Sequence, residues 1–598
     1  MYSGYFCAEI DIPNIYADHA DYPTGSYGIR PLWTHRNHLK LTSVSADEIG
    51  MNYLQDQLIA YIGNKRALLP FLSQVFQNLT SGMTPVRFYD PFAGAGAVSR
   101  LGKTLGFQVH SNDWEQYSYL INSCFIGVDA KTLPHLFTER GGLHNTISVL
   151  QQAGESGNPA AAYISRHYAP RRTATADYRK ERLFYTRENA EFIDIVRTQI
   201  EDWYPGRQSD ERRHAEKSIL IASLLYEAAT HSNTSGVFKA YHKGFGGHGG
   251  DALGRIMAPM QLEIPVLYSS PVDDHTVSCG DAAASGAHGS YDLTYLDPPY
   301  NCHQYGSNYF MLNTIARWDR PAVDSSIGRD GRLEKKAGIR PDWVETRSPY
   351  CSKAAAADAL RALLDSVDSR YFVLSYNTDG IISFEEQLDI FAERGHVNYT
   401  ATEYASYKGG RQSMTRRTAT TEYLLTLDTR KKTRASDVQR IDRQRKIQYV
   451  RSLQSQRFVP GRLQSAINAA EIKMPGFHAE LLEGFLPLQW VITEEDFCSN
   501  SIEMLTTTLE RAMCIDQFEL FGTAMTILET TVLDKKQQRK IENEAVKALK
   551  RFTHRKYEHQ YQQAVTRILR LVELKPQLSR LAKTVAGIQH IAALRFAG

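Results

Sequence analysis

The sequence predicts an α/β fold in which a largely parallel sheet carries the functional residues. Four short apolar runs, at residues 86–89, 107–110, 293–296 and 371–376, have the composition of buried strands, and helical patterns separate them. A later pair of runs, ending in the letters EYLLTL, has the pattern of a hairpin. Acidic residues follow several of these strands, at the edge of the sheet where open α/β proteins bind their ligands.

Length and composition limit the class of protein. The chain has 598 residues, more than one hydrophobic core normally serves, so we expect several domains. Its net charge of +3 is small, so a nucleic-acid surface would have to come from local clusters of basic residues. The seven cysteines show no zinc-ligand spacing, and we expect reduced thiols and no metal site. Without a membrane-length apolar run or a signal-peptide pattern, we expect a cytoplasmic protein.

The first 60 residues mix aromatic residues, prolines and glycines without a sustained period, which predicts an irregular arm. Residues 61–65, YIGNK, then place a glycine and a lysine just before an apolar helical pattern. This pattern is typical of a tight loop at the start of a helix. A plain surface loop with a solvated lysine explains the same letters, and the segment alone does not decide between them.

A glycine turn follows the first predicted strand. The strand at residues 86–89 leads into DPFAGAG, from Asp90 to Gly96, and a helical pattern follows. Gly94 and Gly96 allow the backbone to fold tightly and approach a ligand, while the helix start beyond them offers unpaired N–H groups. The turn is shorter than GxGxxG, so the sequence favours a nucleoside-type ligand over a pyrophosphate.

The second strand, at residues 107–110, ends close to Asp113. A carboxylate at the end of the second strand of such a unit accepts hydrogen bonds from both ribose hydroxyls. Asp113 is therefore our ribose candidate. A helix N-cap for residues 114–125 is the alternative, and the two roles are compatible.

An insert interrupts the sheet pattern at residues 131–272, and here basic and aromatic residues alternate. This mixture is typical of segments that bind phosphates and stack on bases, although a solvated helix face has a similar composition. The residues concerned are Tyr163, Arg166, His167, Tyr168, Arg171, Arg172, Tyr178, Arg179, Lys180, Arg182 and Tyr185.

The stretch from Tyr291 to Tyr300, YDLTYLDPPY, runs from a buried strand into Asp297, Pro298, Pro299 and Tyr300. The prolines end the strand because proline donates no backbone hydrogen bond, so Asp297 lies at its carboxyl end. An earlier strand ends in the same way, at Gly280 and Asp281. An ordinary strand followed by a proline turn is the alternative for DPPY taken alone.

Beyond residue 428 the chain changes to long, charged helical patterns without a catalytic constellation, which predicts an accessory helical domain. We therefore expect four parts: an arm at residues 1–60, a sheet domain at 61–130 and 273–428, a long insert at 131–272, and a helical domain at 429–598.

Taken in order, YIGNK, DPFAGAG, Asp113, Gly280–Asp281 and DPPY resemble the motifs of the Dam-type, or alpha-group, N6-adenine DNA methyltransferases. The resemblance covers residues 61–427. It implies a Rossmann-like sheet that uses S-adenosylmethionine, a target-recognition insert, and site-specific transfer of a methyl group to adenine N6 in duplex DNA. Restriction-modification or phage defence, in the bacterial nucleoid, is the implied setting. A cognate restriction endonuclease or a defence-complex subunit is the implied protein partner, and the oligomeric state stays open.

The resemblance also implies roles for individual residues. Asp297 and the carbonyl of Pro298 would accept hydrogen bonds from the adenine amine, and Tyr300 would stack on the flipped ring beside Pro299. Such transfer needs no metal and no covalent enzyme intermediate. The implied cofactor residues are Tyr61, Gly63, Lys65, Asp90, Pro91, Phe92, Gly94, Gly96, Asp113, Asp281 and Ala282. The expected DNA-binding residues are Arg171, Arg172, Arg179, Lys180, Asn233, Gly236, Phe238 and Lys239.

The match to the family is incomplete in the segment that is expected to lie beside the DNA. Residues 231–239 resemble the RxNxxGxFN hairpin of the family, but His231 replaces the usual arginine and Lys239 the usual asparagine. The alternatives are an amino-methyltransferase that acts on RNA or on cytosine N4, and a non-catalytic DNA-binding subunit on a methyltransferase fold. The intact Asp297, Tyr300 and glycine turn argue against the second alternative.

Overall fold

The structure is a computed structural model of the chain. It describes residues 46–159, 162–247, 252–405, 421–453, 456–470, 497 and 501–597. The chain divides into two units, residues 1–48 and 49–598, and everything that follows concerns the second unit. Most of the arm expected at residues 1–60 lies outside the described residues. Its last part is a regular helix, Ala46–Gln55, which the sequence pattern does not predict.

Seven strands form one sheet in the order β3-β2-β1-β4-β5-β7-β6. The first five strands pair in parallel, while β7 lies antiparallel to both β5 and β6. This is the predicted Rossmann-like arrangement with a terminal hairpin. The strands are β1 (Arg87–Asp90), β2 (Gln108–Asp113), β3 (Thr276–Cys279), β4 (Ser290–Leu296), β5 (Asp368–Asn377), β6 (His396–Ala405) and β7 (Thr421–Asp428).

The order of the strands fixes where a ligand can bind. The chain runs outward from β1 through β2 to β3, and then returns to place β4 on the other side of β1. Connections leave the β1/β4 boundary in opposite directions, which opens a crevice beyond the carboxyl ends of these strands. Both strands are almost fully buried, so that edge is rigidly placed. Asp90 ends β1, and Asp297 directly follows β4.

Helices cover both faces of the sheet, and a few of them begin at a side-chain cap or a proline. For example, Ser383 accepts a hydrogen bond from the amide of Glu386 at the start of one helix. The helices of the sheet region are α1 (Ala46–Gln55), α2 (Leu69–Leu79), α3 (Ala97–Thr104), α4 (Gln116–Asn122), α10 (Ala282–Gly286), α11 (Tyr305–Asn308), α12 (Phe310–Arg317), α13 (Ala356–Ser366) and α14 (Phe384–Ala392).

The insert between β2 and β3 is helical and shares a hydrophobic core with α4 and α12. Its longest helix, α8, buries Ile219, Leu220 and Ile221 in that core. The segment of residues 231–247, which resembles the RxNxxGxFN hairpin of the family, is a loop of turns without a strand. The helices of the insert are α5 (Gly142–Ser156), α6 (Ile164–His167), α7 (Arg187–Trp203), α8 (Glu211–Thr230) and α9 (Leu253–Met257).

The carboxyl-terminal region is helical, as the sequence predicts, and residues 514–592 supply every buried residue of one hydrophobic cluster. The helix that opens this region instead buries Ile441 in the core of the sheet. In the described part of the chain, no helix is long and apolar enough to cross a bilayer. The helices are α15 (Ala435–Leu453), α16 (Pro460–Ala469), α17 (Ile502–Ala512), α18 (Gln517–Thr530), α19 (Lys535–Phe552), α20 (Glu558–Leu574) and α21 (Ser579–Ala597).

Candidate active site

A cleft opens beyond the carboxyl ends of β1, β2 and β4, where the strand order predicts it. It brings together almost all the cofactor and catalytic residues expected from the sequence, although they are spread over 240 positions of the chain. Within the described residues, Gly96 is the exception, because it lies beside the cleft and not in its lining. The predicted residues that line the cleft are Tyr61, Gly63, Lys65, Asp90, Pro91, Phe92, Gly94, Asp113, Asp281, Ala282, Asp297, Pro298, Pro299 and Tyr300.

The glycine turn is as tight as the sequence suggests. Gly94 has φ +52°, and a Cβ at this position would lie 2.6 Å from the Tyr61 ring. Gly96 has φ +81°, and its Cβ would lie 2.5 Å from the Asn122 side chain. Both glycines therefore meet two requirements, a left-handed backbone and a close neighbour, that no other residue satisfies without rearrangement. Gly96 shapes the turn, while Gly94 also faces the cleft.

Asp113 ties the second strand to this turn. Its Oδ2 accepts a hydrogen bond from the Gly94 amide at 2.8 Å, and its Oδ1 accepts one from the Glu115 amide at 2.9 Å. Burial raises the pKa of Asp113, and these amide donors oppose the rise. The alternative as a cap of the following helix is only partly met, because α4 starts at Gln116 with Glu115 as its N-cap residue. Asp113 also lines the cleft, where a ligand can approach it.

Asp281 has a structural role that the motif alone does not reveal. Its side chain caps α10 by accepting hydrogen bonds from the amides of Ala283 and Ala284, both at 3.0 Å. Ala282 is buried, and its carbonyl accepts a hydrogen bond from the Tyr89 hydroxyl at 2.6 Å. The cap therefore holds Ala282 at the cleft wall.

The loop at residues 61–65 is held by the helices that follow DPPY. The Ile62 amide donates to the Tyr309 hydroxyl at 2.8 Å, and the Tyr305 hydroxyl donates to the Ile62 carbonyl at 3.2 Å. The Tyr61 ring stacks on Tyr309 with ring centroids 4.8 Å apart. Residues 61–62 therefore pack against the helices that follow DPPY. Lys65, at the end of the same loop, reaches the DPPY motif itself.

Lys65 forms a buried ion cluster with two carboxylates. Its Nζ lies 3.0 Å from Asp297 Oδ1 and 3.3 Å from Glu422 Oε2. The Lys65 side chain is only 4% exposed, while Asp297 is 17% exposed on the cleft side. The ammonium also lies 5.1 Å from the centre of the Tyr300 ring. One cation therefore contacts the acid and the aromatic residue of the DPPY motif at once.

The charges and burial of this cluster bring the pKa of Asp297 close to neutral pH. Burial raises the pKa of Asp297 to about 6, with the Lys65 cation opposing the rise and Glu422 adding to it. Burial by itself lowers the pKa of Lys65, but Asp297, Tyr300 and Glu422 raise it well above its ordinary value. Asp297 Oδ1 is buried against the Lys65 ammonium, so a substrate in the cleft can reach only the exposed remainder of this carboxylate.

Asp90, the last residue of β1, is a second acid in the cleft. It is 1% exposed, and its Oδ2 accepts a hydrogen bond from the Ser99 hydroxyl at 2.7 Å. Its Oδ1 has no hydrogen-bond partner among the described residues. Burial raises the pKa of Asp90 to about 7, because the hydrogen bond from Ser99 offsets only part of the desolvation. Such an orphaned acceptor fits a donor supplied by a ligand.

Sequence reasoning missed two acids of the site. Glu422 is the second residue of β7 and reaches Lys65, and a buried acid in the apolar run EYLLTL is the signal that could have found it. Glu115 is 3% exposed, accepts a hydrogen bond from Asn313, and has a pKa raised to about 7 by burial. It directly follows Asp113 and Trp114, so its place beyond a strand end was a usable signal. Thr346, Ser348 and Tyr350 also line the cleft, and no short motif marks them.

The residues expected to bind DNA fall into exposed and buried groups. Arg171, Arg172, Arg179, Lys180 and Lys239 are exposed. Asn233 and Phe238 are buried, and the Phe238 amide donates to the Asn308 carbonyl at 2.7 Å, which anchors the loop beside α11. These two side chains therefore hold the loop in place, and direct contact with DNA does not fit their burial.

The basic and aromatic run of the insert also divides in this way. Tyr168 and Tyr185 are fully buried, Tyr163 is 7% exposed, and Arg182 is 2% exposed. They form core packing and cannot stack on bases in this arrangement, so that part of the expectation is corrected. The cations on either side of them remain on the surface.

Comparison with known proteins identifies the family. Residues 61–370 match the family model of the D12 class N6 adenine-specific DNA methyltransferases, and this match covers more than half of the chain. The chain belongs to this family. As a D12 methyltransferase, it is an adenine-specific DNA methyltransferase, and the expected family, fold class and enzyme class are confirmed.

Curated relatives of this D12 methyltransferase are likewise named as DNA-modifying methylases or methyltransferases. Type II methyltransferase M.NlaIII from Neisseria lactamica is 34% identical over 349 residues, which are 58% of this chain and 92% of the relative. Type II methyltransferase M.CviAII from Paramecium bursaria Chlorella virus 1 is 27% identical, over 58% of this chain and 93% of the relative. Modification methylase StsI from Streptococcus sanguinis is 29% identical, over 58% of this chain and 48% of the relative. A large part of this chain therefore has no counterpart in the first two relatives.

Proposed function

We propose that the cleft binds S-adenosylmethionine and that Asp297, Pro298 and Tyr300 receive an adenine flipped out of duplex DNA. The observation that carries this proposal is the shared cleft, in which the catalytic acid beyond β4 faces the glycine turn beyond β1. A cofactor site and an amine acceptor are thereby brought together at the switch point of the sheet.

The residues present fit the cofactor. The orphaned oxygen of Asp90 suits a cationic amine, the oxygens of Asp113 suit ribose hydroxyls, and the turn at Gly94 admits a ligand close to the backbone. S-adenosylmethionine, when bound, supplies an electrophilic methyl group. We assign it to Tyr61, Gly63, Lys65, Asp90, Pro91, Phe92, Gly94, Gly96, Asp113, Asp281 and Ala282, with Lys65 also holding Asp297.

Asp297 acts on the amine and not on the methyl donor. The lone pair of an exocyclic adenine amine is delocalised into the ring, so the nitrogen is a poor nucleophile. Asp297 and the Pro298 carbonyl accept hydrogen bonds from the amine hydrogens and draw the nitrogen toward tetrahedral geometry. Lys65 keeps Asp297 ionised and in place, and Tyr300 stacks on the extruded ring, which offsets part of the unstacking cost of a few kcal/mol.

The DNA is proposed to lie along the exposed cations of the insert, namely Arg171, Arg172, Arg179, Lys180 and Lys239, with Gly236 in the same loop. The domain division expected from the sequence stays our proposal: residues 61–130 and 273–428 for catalysis, 131–272 for target recognition, and 429–598 as an accessory region. Residues 514–592 form a hydrophobic cluster of their own, which supports a distinct carboxyl-terminal region.

The biological setting follows from the relatives. Their names describe type II methyltransferases and modification methylases. We therefore propose that this enzyme modifies one DNA sequence in a restriction-modification system and protects that sequence from a cognate restriction endonuclease. Sequencing of modified bases in DNA from expressing cells should then show methylation of one short motif. Methylation scattered without a motif would contradict site specificity.

The proposed reaction is tested by the identity of the methylated base. Purified full-length protein is incubated with isotope-labelled S-adenosylmethionine and either duplex DNA or structured RNA, and the products are digested to nucleosides. We expect the label in N6-methyldeoxyadenosine from the duplex alone. Label in N4-methyldeoxycytidine or in RNA nucleosides would support the other amino-methyltransferases. Absence of label despite cofactor binding would support a non-catalytic subunit.

A further inference from the structure

A small hairpin outside the predicted DNA-binding residues projects from the long connection between α12 and residue 341. The Glu334 amide donates to the Ser326 carbonyl at 3.1 Å, and the Gly328 amide donates to the Arg332 carbonyl at 2.8 Å. Ile327 and Leu333 pair between them as an antiparallel bridge. We call residues 326–336 the basic hairpin, because its exposed side chains include Arg329, Arg332, Lys335 and Lys336.

The basic hairpin is firmly anchored to the insert. Arg182 is 2% exposed, and its guanidinium donates to the carbonyls of Asp324, Lys335 and Lys336 at 2.5, 2.8 and 3.2 Å. The Leu333 amide donates to the Arg179 carbonyl at 2.8 Å. Arg182 also donates to the Ser325 hydroxyl and to the His167 carbonyl of the insert, so this buried arginine fixes the loop against the insert. The basic hairpin therefore projects from the surface at a fixed position.

Cations from three separate segments meet at this place. Arg179 and Lys243 lie 5.7 and 5.6 Å from the centre of the Tyr178 ring. Lys336 lies 5.6 Å from the Tyr241 ring. A hydrogen bond from Arg179, together with the positive charges of Lys243 and Arg332, lowers the pKa of the half-buried Tyr178. The field at this surface is therefore positive although the whole chain is almost neutral.

Acids of the same surface are exposed as well, with Asp330 67% and Asp324 39% exposed, but residues 326–336 carry four cations against two acids. Each of three aspartates accepts a hydrogen bond from a backbone amide two residues later, which uses the carboxylate to shape its own turn. Arg332 and Lys335 lie 4.0 and 3.6 Å from two of these acids, yet remain 62% and 72% exposed. The three bonds join Asp177 to the Arg179 amide, Asp324 to the Ser326 amide, and Asp330 to the Arg332 amide.

This basic surface is continuous with the active site. Lys243 belongs to the loop of residues 231–247, which the Phe238 amide anchors to the Asn308 carbonyl of α11. That helix begins five residues after Tyr300. Residues 238–243 therefore span from the catalytic segment to the cations around Tyr178, and six residues reach at most about 20 Å. A duplex seated at the cleft would have phosphates within this reach, since DNA carries one charge per about 1.7 Å of axis.

We propose that the basic hairpin, with Arg179 and Lys243, binds the phosphate backbone of duplex DNA beside the target adenine. This proposal rests on the proposed function, because it takes the substrate to be duplex DNA at the cleft. Contacts to phosphates position a protein on the duplex without reading its sequence. The hairpin thus contributes affinity and orientation, while other residues choose the target.

The test compares two double variants of the full-length protein. Arg329→Ala with Arg332→Ala removes two cations from the hairpin. Arg87→Ala with Lys535→Ala is the matched control, because both side chains are exposed cations that lie outside the insert and outside the lining of the cleft. The probe is a fluorescent 24-base-pair duplex of arbitrary sequence, roughly two helical turns long. Binding is measured by anisotropy over a range of salt concentrations.

We expect the slope of log K against log salt to fall by about 1.8 in the hairpin variant, since each phosphate contact contributes about 0.9. The control should keep the wild-type slope, and all three proteins should melt at the same temperature and bind S-adenosylmethionine equally. An unchanged slope in the hairpin variant overturns this proposal and leaves the proposed function standing. A wild-type protein without affinity for the duplex would overturn both.

Discussion

The cleft and the basic surface beside it are built on opposite principles. In the cleft, the charged side chains are mostly buried acids, and Lys65 contacts two carboxylates within 3.3 Å. On the basic surface, charges are exposed and numerous, and Arg332 and Lys335 remain more than half exposed. Buried charges tune the pKa of their neighbours and are barely affected by salt, whereas exposed charges act additively on a polyanion and are screened. We therefore expect variants of the cleft to change the pH profile of catalysis, and variants of the basic surface to change the salt dependence of DNA binding.

The largest effect in this comparison is expected for Lys65→Met. The variant removes the cation that keeps Asp297 ionised, and an unpaired buried carboxylate costs about 3–5 kcal/mol. We expect kcat/KM at pH 7 to fall by roughly 10²- to 10³-fold, as for loss of one preorganised group. Because the reaction needs the carboxylate, the acid limb of the pH profile should move above about 6. An unmoved acid limb would show that Lys65 does not set the charge of Asp297.

Asp90→Asn should separate stability from cofactor binding. The pKa of Asp90 is raised to about 7 in the folded protein, so the unfolded state ionises first and folding loses stability as pH rises toward 7. Asparagine removes this penalty, and we expect the apoprotein at pH 8 to gain on the order of 1–3 kcal/mol. Affinity for S-adenosylmethionine, measured by calorimetry, should fall.

Ser99→Ala is the matched comparison for Asp90→Asn. It removes the hydroxyl that donates to Asp90 Oδ2 but leaves the orphaned oxygen in the cleft. The apoprotein should lose stability at pH 8 while cofactor affinity changes little. Equal losses of affinity in both variants would contradict a ligand contact through Asp90 Oδ1.

Glu422→Gln should act in the opposite direction from Lys65→Met. Glu422 adds to the raised pKa of Asp297, so its neutral isostere lowers that pKa and moves the acid limb below about 6. Glutamine keeps an oxygen that can accept a hydrogen bond from Lys65, so the rate above pH 7 should change only slightly. An upward shift of the limb would mean that Glu422 acts by holding Lys65 and not by its charge.

The smallest effect is expected for Arg171→Ala combined with Arg172→Ala. Both side chains are exposed, and we expect the salt slope of duplex binding to fall by about 1.8, with an unchanged pH profile of catalysis. Duplex binding and steady-state rates measure the two properties separately. A shifted pH profile of catalysis with an unchanged salt slope of duplex binding would contradict this prediction, because these exposed arginines would then behave like the charges of the cleft.

The sequence predicts the cleft well because each of its parts is local. Asp90, Asp113 and Asp297 each follow an apolar strand, and parallel strands bring their carboxyl ends to one edge. Gly94 and Gly96 reveal the turn because few other residues tolerate its backbone. Glu422 escapes such reasoning because only the antiparallel pairing of β7 with β5 brings it to Lys65.

The basic surface is less predictable for the same physical reason. Arg182 and Arg179 are close in sequence and equally basic, yet one is buried as an anchor and the other is exposed. The difference depends on the loop at residues 324–336, which is about 150 residues away in the chain. Composition therefore locates a basic region but does not distinguish its structural cations from those that face a partner.

The most direct test of the central claim is Asp297→Ala, assayed for three properties in one preparation. We propose that the buried, Lys65-paired Asp297 acts on the amine and not in cofactor or DNA binding. We predict that methyl transfer to duplex DNA falls by at least roughly 10³-fold, while affinities for S-adenosylmethionine and for duplex DNA stay within about threefold of wild type. Transfer at the wild-type rate, or loss of transfer fully explained by lost binding, would contradict the account.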